Sequence, residues 1–142
     1  MLTLREHLPL EWPDTRTVEH SDALGPGSSL HVLLTCQCLT EVITGFGARR
    51  VSAEEVALAV VKEVKAYLAH GVPVGEHLAD QLLLPLALAG GGRFRATPLS
   101  LHSTTNIQVI QRFVDFPVSV TPIQAEDGPV EVRVGQDAST ED

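Results

Sequence analysis

Cysteine, aromatic side chains and long apolar runs are all scarce in this sequence, and each scarcity excludes something. Two cysteines, Cys36 and Cys38, cannot build a disulfide framework, which points to a reducing, cytoplasmic setting. As a C-x-C pair on one strand face they would bridge only with strain, and no further ligands stand at metal-site spacing. They are expected to be small buried hydrophobes. No apolar stretch approaches the roughly 20 residues of a membrane-spanning helix, so no membrane association is expected. The first residues, "MLTLREHLPLEWPD", carry charges and Pro13 where a secretory signal needs an apolar block. A broad basic field is also missing. The net charge is −8, which argues against a nonspecific nucleic-acid clamp. Residues 124–142 carry −5 of that total, with Arg133 their only base, so the remaining chain holds −3 and does not exclude an anionic ligand. The acidic end, residues 135–142, is expected to be a disordered tail.

What is present suffices for one domain: 142 residues, 44% of them hydrophobic. Residues 1–28 read as an irregular lead-in, with a helical turn stopped by prolines and then the loop "LGPGSS". "LHVLLTCQ" (30–37) and "LTEVITGFG" (39–47) are β-rich and expected together in one buried sheet. Ser52 opens a capping box with Glu55. Ala57, Val60, Val61, Val64, Tyr67 and Leu68 follow at helical spacing, and Gly71 supplies a left-handed stop, which predicts a helix over about 52–70. "GEHLADQLLLPLALAGGG" (75–92) is polar in its first turn and a half and apolar on all sides after Gln81. That pattern predicts a helix buried all round, kinked at Pro85 and ended by three glycines. "RFRATPLSLH" (93–102) reads as a strand, "STTN" as a cap cluster, and "NIQVIQRF" as a short helix with Ile107, Ile110 and Val114 inward. "FPVSVTPI" and "PVEVRVG" alternate with period two across the turn "AEDG". The order β, β, α, α, β, α, β, β predicts an α+β fold, a two-layer sandwich of a mixed sheet on two helices.

Two segments carry candidate chemistry. In "PLSLHSTTN" (98–106), His102 stands among hydroxyls at a predicted strand end, just before a helix start. It fits a surface histidine, a buried hydrogen-bonder, a metal ligand or a nucleophile; an imidazole is neutral near pH 7 and then competent to attack. In "EHLADQ" (76–81), Glu76, His77, Asp80 and Gln81 fit either acids and polar groups favoured by a helix dipole or a nucleotide pocket. In the second case Asp80 and Gln81 meet a base or sugar edge and His77 stacks. Arg93 and Arg95 share a strand face and are expected at a solvated edge, although phosphate contact is open to them. Arg49 and Arg50 form a turn pair with the same ambiguity. The glycine run 90–92 lacks the Lys-Ser/Thr of a phosphate-binding loop and reads as a turn.

The segments "LTEVITGFGARRVSAEEVALAVVKEVKAYL" and "GEHLADQLLLPLALAGGGRFRATPLSLHSTTNIQVIQRF" closely resemble the RNA 3'-terminal phosphate cyclases. The resemblance runs over about residues 4–134, is most specific in "HLADQLLLPLALAGGG" and "SLHSTTNI", and extends to "GFG" and "GPGSS". It implies the last repeat unit of a longer protein, a four-stranded sheet with two helices over residues 29–134. It implies an enzyme that uses ATP to turn an RNA 3'-terminal phosphate into a 2',3'-cyclic phosphate through a covalent histidinyl-AMP. By motif, His102 would be that histidine, and His77, Leu78, Ala79, Asp80 and Gln81 the adenylate-binding segment. A divalent metal, Mg or Mn, is expected, with its ligands, like most RNA-binding groups, in a portion upstream of this chain. Cyclase-like proteins of ribosome assembly share the fold and lack the nucleophile; a non-catalytic module or fragment is therefore the alternative.

Overall fold

In the computed structural model, which describes residues 2–9, 11, 14–124 and 127–135, period-two alternation in the first half of the chain builds a hairpin. The chain divides into two compact units, Met1–Thr35 with Val42–Ala69, and Cys36–Glu41 with His70–Asp142. The first unit holds α1 (Leu2–His7), β1 (Ser29–Thr35), most of β2 (Thr40–Phe46) and α2 (Ala53–His70). β1 and β2 form a two-stranded sheet. Val32, Leu34 and Ile43 fill a core with Leu4, Leu8 and the inward stripe of α2. The opposite face is open: Leu33 is 63% and Phe46 73% exposed. The sheet expected to be buried is thus buried on one face only, because alternate side chains point to opposite sides and one helix layer covers one of them.

Gly45 sets how closely α2 approaches this sheet. A Cβ there would lie 2.5 Å from Val60 Cγ2 and 3.0 Å from Val56 Cγ1. Ala57, Val60, Val61, Val64 and Tyr67 are buried as the helical spacing predicts. Leu68 has the same facing but is 45% exposed, since it sits in the last turn, where cover runs out. Cys36 and Cys38 are exposed rather than buried. They fall in the turn between the strands, where Cys36 N–H donates to Leu39 O at 2.8 Å, and a turn has no dry face.

The capping box forms. Ser52 N–H donates to Glu55 Oε2 at 2.7 Å, and Glu55 N–H donates to Ser52 Oγ at 3.1 Å. The hydrogen bond from the Ser52 backbone, followed by that from its hydroxyl, holds the Glu55 carboxyl below the usual carboxylate range. A lowered folded-state value means that the stabilisation is complete above the unfolded glutamate value and is lost as pH falls through the folded one. The difference in Tm between the native chain and Glu55→Gln is therefore expected to be largest near neutrality and to vanish in acid, as melting curves across pH would show.

The second unit contains α3 (Glu76–Leu88), β3 (Gly92–Ala96), α4 (Leu101–Phe113), β4 (Val118–Pro122) and β5 (Val130–Val134). Its sheet is antiparallel in the order β3-β5-β4, with Phe94 opposite Val132 and Val120 opposite the same residue. Val130, Val132 and Val134 turn inward onto a core shared with Leu83 of α3 and Ile107 and Ile110 of α4. The α+β arrangement of sheet against helices holds. All five strands of the expected order form, but the four-stranded sheet that the resemblance implies is not seen among the described residues: β1 and β2 pair separately, β3, β5 and β4 make three strands, and Val74 adds only a single parallel bridge to Ala96. The mixed character of the sheet rests on that bridge.

α3 is not buried all round. Ala79, Leu83 and Ala87 make one buried stripe, whereas Leu84 is 48% and Leu88 71% exposed. A helix lying on a sheet is dry on one side whatever its composition. It runs through Pro85 and ends at Gly90 and Gly91, with φ of 94° and 129°. β3 stops at Ala96 and α4 starts at Leu101, so the strand is shorter and the helix longer than expected. Pro98 ends the extended segment, and the cap is Ser100, not the "STTN" that follows. The hairpin turn at residues 125–126 and the acidic tail at 136–142 lie outside the described residues. Among the described residues no helix is long and apolar enough to cross a membrane.

Candidate active site

The single bridge at Val74 positions the site. Val74 N–H donates to Arg95 O at 3.2 Å, and Thr97 N–H donates to Val74 O at 3.0 Å. α3 begins two residues after Val74, and α4 begins shortly after Thr97. Both first turns therefore open at the same end of the unit. A second link locks them: Asn106 Nδ2 donates to Asp80 Oδ1 at 3.0 Å and to Asp80 O at 3.3 Å. The two segments singled out in the sequence, "HLADQ" and "LHSTTN", are thus joined directly.

His102 is exposed and is the second residue of α4, inside the helix rather than at a strand end. Among the described residues its ring has no hydrogen-bond partner. Ser100 Oγ accepts from Ser103 N–H at 3.3 Å, and Thr104 N–H is taken by Ser100 O. The N–H groups of Leu101 and His102 are left without acceptors among the described residues, as the first turn of a helix dictates. An anion beside His102 would meet these donors and the positive end of the helix. Ser103 is fully buried, and Thr104 Oγ1 donates to Leu101 O at 3.0 Å. The hydroxyls around His102 therefore serve the helix itself. Ser100→Ala is expected to cost about 1 kcal/mol, measured as a shift in the denaturant midpoint.

On α3, His77 and Gln81 are exposed and Asp80 is half-buried. Spacings of three and four put all three on one face. Ala79 is completely buried, and Leu78 packs against the core. Asp80 is held by Asn106, so a ring from His77, an oriented carboxylate and an amide are presented together. That donor set suits a nucleotide base and sugar edge. Thr97, bonded to Val74 between the two helix starts, has a buried hydroxyl with no partner among the described residues. No group of three or more His, Cys, Asp or Glu among the described residues is placed to hold a metal ion.

Sequence reading missed one residue here. Glu41, at the start of β2, is buried, and its Oε2 accepts from Gly75 N–H at 2.9 Å. Gly75 is the N-cap of α3 and has no side chain to cap it. A Cβ at Gly75 would lie 2.9–3.1 Å from the Glu41 carboxyl atoms. The anion that caps α3 thus comes from a residue 34 positions upstream. A lone acid on an alternating strand gives no sign of this; only the unpartnered glycine before "EHLADQ" hints at an outside cap.

The family model for RNA 3'-terminal phosphate cyclase matches residues 16–120. The chain belongs to the RNA 3'-terminal phosphate cyclase family. It is 46% identical over 112 residues to the RNA 3'-terminal phosphate cyclase of Salmonella enteritidis PT4, covering 79% of this chain and 32% of that protein. It is 42% identical over 134 residues to the cyclase of Salmonella paratyphi C, covering 94% and 38%. It is 49% identical over 116 residues to that of Ralstonia nicotianae, covering 82% and 33%. The chain spans about a third of the length of the curated relatives it matches. Both halves of the candidate site lie inside the span matched by the cyclase model.

Proposed function

We propose that this cyclase-family chain is the nucleophile-bearing C-terminal portion of a cytoplasmic enzyme that uses ATP to convert an RNA 3'-terminal phosphate into a 2',3'-cyclic phosphodiester. The observation that supports the reading is the hydrogen bond from Asn106 to Asp80, which ties "HLADQ" to the helix that carries the exposed His102.

In this reading a ring nitrogen of His102 attacks the α-phosphorus of ATP. An N–P bond forms, the bond to the bridging oxygen breaks, and pyrophosphate leaves with the electron pair. The open N–H groups at 101 and 102 face the charge that develops on phosphorus-bound oxygens. His77 stacks on adenine, while Asp80 and Gln81 take polar edges of the nucleoside. Leu78 and Ala79 contribute backbone, since their side chains serve the core. An oxygen of the RNA 3'-phosphate next attacks the same phosphorus, the P–N bond breaks, and His102 departs as the neutral imidazole, its other ring nitrogen keeping its proton. The neighbouring 2'-hydroxyl then closes the ring and expels AMP. A divalent ion, Mg or Mn, would neutralise pyrophosphate charge, with ligands from outside the described residues.

Intact mass spectrometry after incubation with ATP and Mg or Mn tests this. The expected product is one AMP adduct, released by acid. A folded chain that takes up no AMP, alone or with the upstream portion of a family relative supplied, overturns the enzymatic reading and leaves a non-catalytic module.

A further inference from the structure

The outer face of the three-stranded sheet gathers three arginines. Because β3, β5 and β4 pair in register, Arg93, Arg133 and Ser119 form one cross-strand row, and Arg95, Glu131 and Thr121 the next. Three of the chain's ten lysines and arginines thus share one face of a protein whose net charge is −8. The only acid between them is already engaged. Arg133 Nε donates to Glu131 Oε1 at 2.8 Å, its Nη2 lies 2.7 Å from the same oxygen, and Arg95 Nε lies 3.6 Å from Glu131 Oε2. The hydrogen bond from Arg133 is the main cause that holds the Glu131 carboxyl below the usual carboxylate range. Glu131 therefore stays ionised and the face carries +2. Arg93 is exposed and acts on Glu131 only at longer range, as the weakest of the three arginine influences on that carboxylate.

A shallow groove of about 360 Å³ runs along β3 between Pro73, Arg93, Phe94, Arg95 and Glu131, with Phe94 half-buried and packed against the core. Along the strand Arg93 and Arg95 are about 7 Å apart, from two strand rises. Charges more than about 8 Å away are largely screened at physiological salt, so acids elsewhere in the chain do not cancel this face. Glu131 compensates Arg133 most closely and Arg95 at longer reach, so the least compensated of the three guanidinium groups is that of Arg93.

The geometry points to this sheet face as a track for the backbone phosphates of a single RNA strand, holding nucleotides upstream of the end that is presented to the helix starts. The inference rests on the reading that the chain acts on RNA. Its occupant is a phosphate chain because the face offers guanidinium forks and two hydroxyls, but no exposed aromatic ring for base stacking. Binding is accordingly indifferent to sequence and steep in salt.

Fluorescence anisotropy with a short single-stranded oligouridylate ending in a 3'-hydroxyl tests the track without any cyclisation. The native chain is expected to bind. Arg93→Gln should weaken binding several-fold and lower the slope of log K against log salt by about 0.7, one phosphate contact on a single strand. Glu131→Gln should tighten binding, and Arg112→Gln, on α4, should leave it unchanged. Unaltered affinity and slope in Arg93→Gln, or no binding by the native chain, overturns the proposal. Equal, Arg93-dependent binding of polyglutamate also overturns it, since the face would then take acidic peptides. AMP uptake by Arg93→Gln separates the two readings: the adduct is expected at the native level whether or not the track exists.

Discussion

Replacement of His102 by asparagine is expected to abolish AMP uptake completely while leaving the melting temperature unchanged. Completeness follows from the chemistry: no other group among the described residues at this end of the unit combines a lone pair on nitrogen with a position beside free helix N–H donors. His77 has the nitrogen, but it stands on α3, whose N-terminal end already faces the Glu41 carboxylate. Neutral stability follows from the structure. The His102 side chain is exposed and makes no hydrogen bond among the described residues, and asparagine is well tolerated in a first helical turn. His77→Ala should behave differently. It removes a stacking plane but no bond-forming atom, so adduct still forms and the ATP concentration needed for half-maximal uptake rises about tenfold, as loss of a stacking interaction of about 1–2 kcal/mol requires. An acid-labile adduct that survives in His102→Asn would remove the assignment, whatever its yield.

Much of this arrangement is legible in the residues. α2 announces itself through the Ser52–Glu55 box and a regular stripe, because local capping and a one-sided environment both act within a few residues of chain. α3 is legible in extent but not in burial: ten near-consecutive apolar or small residues look dry on every side, yet with α4 and the sheet as neighbours only Ala79, Leu83 and Ala87 are fully buried. The start of α4 is misread for a related reason. "STTN" has cap chemistry, but Ser100 has it too and comes first after Pro98, so the helix closes around the earlier serine and carries His102 inside it. In the proposed reaction that shift matters, since it puts the imidazole in the helix turn that carries open N–H donors. The least legible features are those made by register and by long-range contact. Arg133 joins Arg93 only through β3–β5 pairing. Glu41 meets Gly75 across 34 residues, and nothing local to either announces it.

That last contact leads to the largest expected change in stability. Glu41→Ala should cost about 2 kcal/mol, because it strands the buried Gly75 N–H without an acceptor and takes the anion from the α3 N-terminus. Glu41→Gln keeps an acceptor oxygen and loses only the charge, so its cost should stay below about 1 kcal/mol. Gly75→Ala probes the same contact from the other side. Gly75 has φ −79° and ψ 174°, a conformation open to any residue, so alanine carries no backbone penalty there. Its Cβ would instead press on the Glu41 carboxyl and break the hydrogen bond it overlies, at a cost of about 2 kcal/mol. In the double variant the added methyl occupies space that Glu41 has vacated, and the total loss should stay close to that of one substitution alone. Denaturant midpoints for the four chains give the coupling directly, expected at about 1–2 kcal/mol. Strict additivity would mean that Gly75 is glycine for some reason other than the carboxylate. If the contact also holds the first turn of α3 in place, AMP uptake should fall in both single variants and in the double variant alike, while in Glu41→Gln it persists, since the acceptor that fixes Gly75, and with it His77, Asp80 and Gln81, is still there.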